Sequence, residues 1–447
     1  MALGMILAYE SIMGFKCTSI LADDLTGAND TAIQFVNEGL SSLVLTHTGG
    51  TNSSSFGNYD VIALNSGSRS MKAPDAYRTA RDLTARFRTT LDGGRLYKKV
   101  DSVLRGNPAA ELSAVMDELD IPLAVVAPSF PANQSIVRQG KLNSGSAGID
   151  AVDIFSRGIK GKAGGIALEE IRGGPARAAR YMLDRHADGV NVFVADAVTD
   201  DDLEIIYHSS LLLDRPLVLS GSAALARHMA RDMSRSRAGR LVRPERIPFS
   251  GGPVLVVAGT RQAETAAQLT TLSRINSSPI IRFKTELVCR GKAADAVLAA
   301  FSEASRIMGD SGDLCIIAVE SMFKSEIPAG DVDRLEAESP DSAAAVSAAL
   351  GSLADRLLGT FGFSVLISTG GDTTLGVCRS LGVEGIEPVA EICPGIPLGR
   401  IVGGPYEGRS MVTKSGRFGN QESLLEIQRF LKSAQDECIA ERKKKII

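Results

Sequence analysis

Short apolar runs rich in β-branched residues alternate with segments of helical periodicity along almost the whole chain. Because two parallel strands are joined only through a long crossover, usually a helix, this alternation predicts an α/β fold with largely parallel sheets. Twelve runs have strand character: CTSIL, SSLVLT, YDVIAL, RLYKKV, PLAVVAP, NVFVAD, RPLVLS, PVLVVAG, PIIRF, LCIIAV, FSVLIS and GRIVGG. Ligands of α/β proteins bind at the carboxyl ends of such strands, so the loops that follow them are candidates for a functional site.

The chain length predicts more than one hydrophobic core. At 447 residues the chain exceeds the size at which single cores stop growing, so two domains are expected. We predict the boundary near residues 235–252, a basic stretch with Pro and Gly that lacks apolar periodicity, which gives domains 1–245 and 246–447. Residues 140–165 are predicted to form a Gly- and Ser-rich surface excursion, and ESPDSAAA near residue 340 a loop that leads into a helix.

Charge and cysteine content argue against several classes of protein. With 49 basic and 52 acidic residues the formal net charge is −3, which disfavours nucleic-acid and membrane partners and requires any anion site to be local. The six cysteines form no C-x-x-C pair, so neither a zinc site nor a disulfide framework is expected. Apolar runs are shorter than a membrane span and the first residues do not resemble a signal peptide, so we expect a cytoplasmic protein, with Met13 as an alternative start.

The first predicted strand runs into ADDLTGANDTA, residues 22–32. Asp23 and Asp24 follow the strand directly, and the apolar residues after them have helical spacing up to Gly39. One interpretation is that Asp24 only caps the helix. The other is a ligand site at the strand end, and a third nearby acid, Asp30, favours it.

A second charged stretch, KKVDSVLRG at residues 98–106, follows a later strand. Arg105 offers a planar guanidinium to a carboxylate, while Asp101 and Ser102 suit hydroxyl groups. Lys98 and Lys99 point to opposite faces if both lie in the strand, so at most one of them is expected to reach a ligand there.

A third polar stretch, NSGSRS at residues 65–70, also follows a strand and contributes Arg69 as a second guanidinium for an anion. Asn107 and Pro108 predict a helix start just after the second stretch, so its charges belong to a loop. Solvated loop charges are the alternative interpretation of each stretch, but their coincidence at three strand ends favours a ligand site.

The C-terminal half carries Gly-rich turns after its strands. TGGDTTLG places Gly370 and Gly371 before a helix opened by Asp372 to Thr374, and exposed amide groups at such a turn form a phosphate cradle. VTKSGRFGN, with Lys414 and Gly416, and AGTRQAET, with Thr260, repeat this arrangement. Neither G-x-x-x-x-G-K-[ST] nor G-x-G-x-x-G is present, which argues against a P-loop protein and an ordinary dinucleotide binder.

Seven motifs in order along nearly the whole chain resemble the four-carbon acid sugar kinase family: ILADDLTGANDTA, KKVDSVLRGN, VAPSFPANQSIVRQGKL, GSAALA, STGGDTTLGVCRSLGV, EICPGIPLGRIVGG and KSGRFG. The resemblance implies an N-terminal sugar-acid domain, a C-terminal ATP domain and an active-site cleft between them. It also implies phosphorylation of the terminal C4 hydroxyl of an acid such as D-threonate or D-erythronate, with ATP and Mg²⁺ as cofactors.

The resemblance also implies a set of site residues. Substrate contacts would fall on Asp23, Asp24, Arg69, Lys98, Lys99, Asp101, Ser102 and, from the charge pattern, Arg105. Nucleotide contacts would fall on Thr260, Gly370, Gly371, Asp372, Thr373 and Gly416, with Lys414 added from the turn chemistry. Two positions depart from the family pattern, because Val103 replaces a usual Thr and Asp372 a usual Glu.

Mechanistically, Arg69, Arg105 or a lysine would hold the sugar-acid carboxylate, and Asp24 or Asp101 would orient or deprotonate the reacting hydroxyl. Alternatives are a 3-dehydrotetronate 4-kinase and a non-catalytic two-domain sugar-acid binding protein. A dehydrogenase is disfavoured by the missing nicotinamide fingerprint. The metal ligands, the substrate stereochemistry and the formation of a homo-oligomer are left open.

Overall fold

A computed structural model describes residues 17–46, 59–87, 95–143, 148–236, 251–309, 312–326 and 342–446 of the chain. The chain forms two compact units, Met1–Arg243 and Pro244–Ile447. Each unit has its own buried apolar core.

The first unit is built on a parallel sheet with the strand order β2-β3-β1-β4-β11-β5-β10-β9. Its central strands are buried along their length, as expected for continuous apolar runs covered by helices on both faces. The strands are β1 (Thr18–Ala22), β2 (Ser42–Leu45), β3 (Val61–Asn65), β4 (Leu96–Lys99), β5 (Ala124–Ala127), β9 (Lys162–Ile166), β10 (Val190–Ala195) and β11 (Val218–Gly221). An antiparallel sheet of β6 (Ile136–Arg138), β7 (Lys141–Asn143) and β8 (Ile149–Asp150) adjoins it.

Eight helices connect and cover the strands of the first unit in its described part. Helix α1 packs against α8, and α2 packs against α3. The helices are α1 (Leu25–Asn37), α2 (Ala73–Phe87), α3 (Pro108–Leu119), α4 (Ala151–Gly158), α5 (Leu168–Arg172), α6 (Pro175–Ala187), α7 (Asp200–Leu211) and α8 (Ala223–Ser236). A 3₁₀ turn, Pro131–Asn133, precedes β6.

The second unit has a mixed sheet with the strand order β13-β14-β12-β15-β18-β17-β16. The first five strands in this order are parallel, and β16 and β17 form an antiparallel hairpin that joins β18. The strands are β12 (Val254–Ala258), β13 (Ile280–Phe283), β14 (Leu314–Val319), β15 (Val365–Thr369), β16 (Gly385–Cys393), β17 (Ile396–Val402) and β18 (Ser410–Lys414).

Six helices belong to the described part of the second unit. They are α9 (Ala263–Asn276), α10 (Thr285–Cys289), α11 (Ala293–Gly309), α12 (Ser342–Phe361), α13 (Gly371–Ser380) and α14 (Ser423–Ile446). A 3₁₀ segment, Glu320–Glu326, follows β14. Helix α12 packs against both α11 and α13, which places α13 at the carboxyl end of β15 against a buried surface.

The α/β class with largely parallel sheets is confirmed, and each of the twelve predicted runs contains strand residues. The surface excursion predicted at residues 140–165 is wrong in part, because it contributes helix α4 and the edge strand β9. Strand β16 was not predicted, since Glu387, Pro388 and Glu391 interrupt its apolar pattern, yet it pairs as the outer strand of a hairpin.

Some predicted features lie outside the described residues. These are the alternative start at Met13, most of the boundary at 235–252, and all but the last residues of the loop near 340. Within the described ranges, none of the helices combines the length and apolar character that a membrane crossing requires.

Candidate functional site

Three polar loops of the first unit meet at one edge of its sheet. Strand β1 lies between β3 and β4, with Ala22 opposite Asn65 and Leu21 opposite Lys98. The residues that follow these three strands are therefore neighbours in space, although they are far apart in sequence. This edge holds the substrate-site residues that were predicted from the sequence, with the exception of Lys98.

Arg69 is the centre of this edge. Its Nε and Nη2 donate to the two oxygens of Asp23 at 2.7 Å each, and its Nη1 donates to Asp24 Oδ2 at 2.5 Å. Asp101 Oδ2 lies 3.5 Å from the same Nη2. The guanidinium predicted to bind a substrate carboxylate is thus engaged by three carboxylates of the protein itself.

Asp24 caps helix α1, as one of the two interpretations proposed. Its Oδ1 accepts the amide of Gly27 at 2.8 Å, and its Oδ2 accepts the hydroxyl of Thr26 at 2.7 Å. The contact to Arg69 is additional to this cap. Asp24 therefore joins the start of a helix to the charged centre of the site, so the two interpretations are compatible.

Asp101 organises the loop that follows β4. Its Oδ1 accepts the backbone amides of Val103 and Arg105 at 3.1 and 3.3 Å, and both carboxylate oxygens bind the Arg105 guanidinium at 3.0 and 2.6 Å. Within this loop Leu104 adopts φ +57°, a left-handed conformation that costs energy for a branched side chain. The carboxylate of Asp101 thus holds a strained turn and one guanidinium in place.

The charges of the arginines keep two of these acids ionised. Burial opposes ionisation of Asp23 and Asp101 and is the largest single influence on each. The charge of Arg69, the hydrogen bonds from Arg69 or Arg105 and the neighbouring cations together outweigh burial, so the pKa of both carboxyls is lowered. Burial likewise opposes the charge of Arg69, yet the three carboxylates raise its pKa well above the usual value. A carboxylate with a lowered pKa is a weak proton acceptor, so Asp23 and Asp101 are better suited to positioning than to base catalysis.

Lys98 does not face this edge, which corrects its prediction as a substrate contact. Its ammonium is fully buried, pairs with Glu111 Oε2 at 2.8 Å and donates to the carbonyls of Lys99 and Leu21. The alternation of side chains along β4 turns Lys98 toward helix α3 and Lys99 toward the start of α1. Only one of the two lysines reaches the site, as the strand geometry predicted.

The ammonium group of Lys99 also lies at this edge, and unlike the guanidinium groups it is not bound by oxygens of the described residues. Lys99 is 4% exposed, and among the described residues its ammonium makes no hydrogen bond or ion pair. A methyl group on Gly27 would lie 3.1 Å from Lys99 Nζ and 3.9 Å from Arg69 Nη2, so the ammonium borders the N-terminus of α1. Its charge also helps to lower the pKa of Asp23 and Asp101.

Ser102 and Arg105 complete the first site. The Ser102 carbonyl accepts the hydroxyl of Ser135 at 2.5 Å, which ties the loop after β4 to the turn before β6. The Ser102 hydroxyl and Arg105 Nη1 make no hydrogen bond with any residue in the described ranges. Both groups therefore retain donors for a ligand.

Three Gly-rich turns meet at the carboxyl edge of the second sheet. Ala258 pairs with Thr369, and Thr369 pairs with Lys414, so the turns after β12, β15 and β18 are side by side. The predicted cofactor residues therefore share one edge of this unit.

Close contacts explain why glycine occupies these turns. A methyl group on Gly416 would lie 2.3 Å from the Thr260 hydroxyl, and one on Gly259 would lie 2.1 Å from the Thr373 hydroxyl. Gly370 has φ +99° and lies within 3.5 Å of both threonines by the same measure. A side chain larger than that of glycine at Gly259 or Gly416 would therefore displace Thr373 or Thr260.

Helix α13 begins at this edge. Gly370 caps it without a side chain, and the first intrahelical bond runs from the Thr374 amide to the Gly370 carbonyl. The amides of Gly371 and Thr373 precede that bond at the start of the helix, where backbone amides without an intrahelical acceptor can bind phosphate.

Lys414 supports the turn after β18 from inside. Its ammonium is fully buried and donates to the carbonyls of Ser415 at 2.8 Å and Phe418 at 2.9 Å, with Thr265 Oγ1 at 3.5 Å. Burial lowers the pKa of Lys414 to about 7, against the opposing charge of Glu264. These contacts make it a residue that shapes the turn, whereas the sequence predicted a direct cofactor contact.

Two family models match the chain. A sugar-binding N-terminal domain matches residues 18–151 and 144–229, and a nucleotide-binding C-terminal domain matches residues 255–424. A D-threonate kinase of Bordetella bronchiseptica is 32% identical over 427 residues, which cover 92% of this chain and 97% of that protein. The chain belongs to the four-carbon acid sugar kinase family.

A second curated kinase agrees with this assignment, and a solved structure has the same fold. A D-erythronate kinase of Heliobacterium modesticaldum is 26% identical over 424 residues, which cover 90% of this chain and 94% of that protein. A crystal structure from Salmonella typhimurium LT2 has a TM-score of 0.71 at 22% identity and covers 92% of this chain and 98% of that one, so the two proteins share a fold.

Within this family member, sequence reasoning missed the residues that support the site loops. Glu111 binds Lys98 beneath the edge that holds Arg69, and Gln268 donates to the carbonyls of Phe418 and Asn420 beneath the edge that holds the Gly-rich turns. The available signal was a polar side chain on a buried helical face, since Glu111 lies one turn before the buried Val115.

Proposed function

We propose that the protein transfers the γ-phosphoryl group of ATP to the C4 hydroxyl of D-threonate or D-erythronate. The observation that carries this assignment is the mixture of groups around Arg69. One buried ammonium without a protein partner, Lys99, adjoins three carboxylates with acceptor capacity to spare. A small acid with one carboxylate and several hydroxyls matches this combination.

In the proposed complex, Lys99 and Arg105 Nη1 bind the substrate carboxylate. Arg69 uses three of its five N–H donors on Asp23 and Asp24, and it acts by fixing the positions of these carboxylates. The sugar-acid hydroxyls donate to Asp23 and Asp24, because ionised carboxylates accept hydrogen bonds and do not donate them. Binding the acid end at Lys99 leaves the C4 hydroxyl, at the other end of the substrate, free to react.

Asp24 is the proposed group that orients the C4 hydroxyl and accepts its proton. The lowered pKa values of Asp23 and Asp101 disfavour protonation of these two carboxylates, which argues against either as the base. Phosphoryl transfer depends mainly on positioning and on stabilising the phosphate charge, so a modest base suffices. Asp101 serves this step indirectly, by holding Arg105 and the strained turn.

The ATP phosphates are proposed to bind the amides that open α13, between Thr260 and Gly416. Within the described ranges no cluster of three or more His, Cys, Asp or Glu side chains could hold a metal ion. This fits Mg²⁺, which is usually bound by phosphates, waters and one or two carboxylates. Asp372, in the first turn of α13, offers such a carboxylate, and Mg²⁺ would neutralise phosphate charge there.

The test is ADP release by the purified chain with ATP and Mg²⁺ against D- and L-threonate, D- and L-erythronate and 3-dehydrotetronate. Turnover with D-threonate or D-erythronate, and a phosphate monoester at C4 by ³¹P NMR, are expected. Turnover with 3-dehydrotetronate alone would move the assignment to the alternative kinase. Calorimetric binding of a sugar acid without ADP release would indicate a non-catalytic binding protein.

Two analogues test the roles of the substrate groups. The 4-deoxy analogue of the active acid keeps the carboxylate and should inhibit competitively without being phosphorylated. Threitol keeps the hydroxyls but lacks the carboxylate, so it should bind much more weakly. Equal affinity for threitol and threonate would refute the anion site at Lys99.

A further inference from the structure

A buried polar network lies beneath the Arg69 loop, and we call it the support network. It consists of Ser66, Ser68, Lys98 and Glu111. Glu111 is 1% exposed, accepts the Ser68 hydroxyl on Oε1 at 2.7 Å and pairs with Lys98 on Oε2 at 2.8 Å. The Ser66 hydroxyl oxygen lies 2.7 Å from that of Ser68 and 2.9 Å from the Ala22 carbonyl. With the Ser68 proton donated to Glu111, the single Ser66 proton goes to one of these two acceptors. The network thus joins β1, the loop after β3, β4 and helix α3.

Helix α3 holds the same loop at a second point. Asn107, four residues before Glu111, donates Nδ2 to the carbonyls of Ser68 at 3.3 Å and Met71 at 2.9 Å. It makes no side-chain cap of its own helix, which Pro108 opens. Arg69, the next residue after Ser68, is held from the other side, because its backbone N–H donates a hydrogen bond to the Asp23 carbonyl at 3.3 Å. The backbone that carries Arg69 is therefore fixed from both sides.

The cost of burying two ions makes a purely structural role a poor explanation for this pair. A buried ion pair often contributes no more stability than apolar side chains of similar volume, because desolvation offsets the attraction. An apolar pair would fill the space between β4 and α3, but it would leave the Ser68 hydroxyl without its acceptor. The carboxylate of Glu111 provides an orientation for Ser68 that an apolar residue cannot.

We propose that Glu111 is a positioning residue of the sugar-acid site, which sets the place of Arg69 through Ser68. Arg69 in turn fixes Asp23 and Asp24, so a displaced loop would misplace both carboxylates that are proposed to bind the substrate hydroxyls. The kinetic part of this inference rests on the proposed function. The ligand-free part does not.

The decisive variant is the double substitution Lys98→Met with Glu111→Met. It removes both buried charges, so its melting temperature should return close to that of the wild type, unlike either single variant. The KM for D-threonate should stay raised by about tenfold or more, as expected when a charged hydrogen-bond partner is lost. The KM for ATP should be unchanged. Recovery of the D-threonate KM together with the melting temperature would overturn the proposal.

A lighter variant covers the case in which the double variant fails to fold. Ser68→Ala keeps the Lys98–Glu111 pair and removes only the link to the loop, so it should raise the D-threonate KM with little change in melting temperature. Ser113→Ala removes a buried hydroxyl from the same helix outside the network and is the matched control. Equal KM values in the two variants would refute the link through Ser68.

Hydrogen exchange of the ligand-free protein provides a readout that needs no substrate. Amides of residues 66–71 should exchange faster in Ser68→Ala and in the double variant than in the wild type and Ser113→Ala. Unchanged exchange in both would overturn the positioning role. Lack of turnover by the wild type with every sugar acid would refute the proposed function instead, and the exchange result would still decide this inference.

Discussion

The two lysines that end strand β4 are adjacent in sequence but should respond in opposite ways to the same substitution. Lys99→Met removes an ammonium that binds no described protein oxygen, so folding loses no hydrogen bond there. If Lys99 binds the substrate carboxylate, the variant loses a charge-assisted interaction worth about 1.5–3 kcal/mol, or roughly a tenfold to 150-fold increase in Kd. Its melting temperature should change by no more than about 2 °C.

Lys98→Met is the matched control, with the same chemical change one residue earlier. It leaves the buried carboxylate of Glu111 without its cation, and breaking such a pair costs roughly 3–5 kcal/mol. For a unit of this size each kcal/mol lowers the melting temperature by about 2–4 °C, so the expected loss is roughly 6–20 °C.

Calorimetric titration with D-threonate and scanning calorimetry of the two variants measure both quantities. Threitol is a control ligand without a carboxylate, so Lys99→Met should leave its weak binding unchanged. If Lys99→Met binds the sugar acid with wild-type affinity, Lys99 does not bind the substrate carboxylate, and that role would fall to Arg105 Nη1. A drop in melting temperature equal to that of Lys98→Met would refute the claim that Lys99 has no structural partner.

Three further predictions follow from the same geometry. Gly416→Ala should weaken ATP binding about tenfold, the effect of losing a phosphate hydrogen bond, and leave sugar-acid binding intact. Gly359→Ala is the control, because its methyl group would only touch the Tyr406 hydroxyl at 3.6 Å, and calorimetry should show neither affinity changed. Asp24→Asn should lower kcat by roughly 10²-fold if Asp24 is the base, while Asp101→Asn should mainly raise KM; the reverse pattern in steady-state kinetics would move the base to Asp101. The folded pKa of Lys414 lies near 7, below the unfolded value of 10.5, so the unfolded state binds more protons between these two pH values. The free energy of unfolding, relative to that of Lys414→Met, should therefore rise with pH by up to roughly 1.4 kcal/mol per pH unit. If the urea midpoints of the wild type and Lys414→Met keep a constant difference from pH 7 to 9, this prediction is contradicted.

The parallel strands were predictable because strands buried on both faces are continuous apolar runs. The hairpin strand β16 and the edge strand β9 were not, since Pro388 and the pair Gly164–Gly165 resemble loop signals, and their pairing depends on neighbours distant in sequence. Helix starts were easier to predict than their chemistry. Pro108 opens α3 as predicted, but Asn107 turns its side chain to another loop.

The residues of the candidate site were predictable, but the division of roles among them was not. A guanidinium for a substrate carboxylate and one for a protein carboxylate have the same sequence signature. The two differ in the number of carboxylates that folding places beside each cation, and here Arg69 receives three. Lys98 and Lys99 show the same difficulty. Glu111 pairs with Lys98 and leaves Lys99 available to a ligand, and the position of Glu111 is known only from the fold.

The balance of charge at this edge favours a ligand that is both an anion and a polyol. Asp23, Asp24 and Asp101 share two guanidinium groups, so the arginines alone leave one negative charge uncompensated. A substrate carboxylate would be repelled by that excess if Lys99 were absent, and the surplus acceptor sites would have no donors if the ligand lacked hydroxyls. With Lys99 present, the acid end gains a cation and the hydroxyls gain acceptors at the same time. A simple carboxylic acid without hydroxyls should therefore bind far less well than threonate, although it carries the same charge.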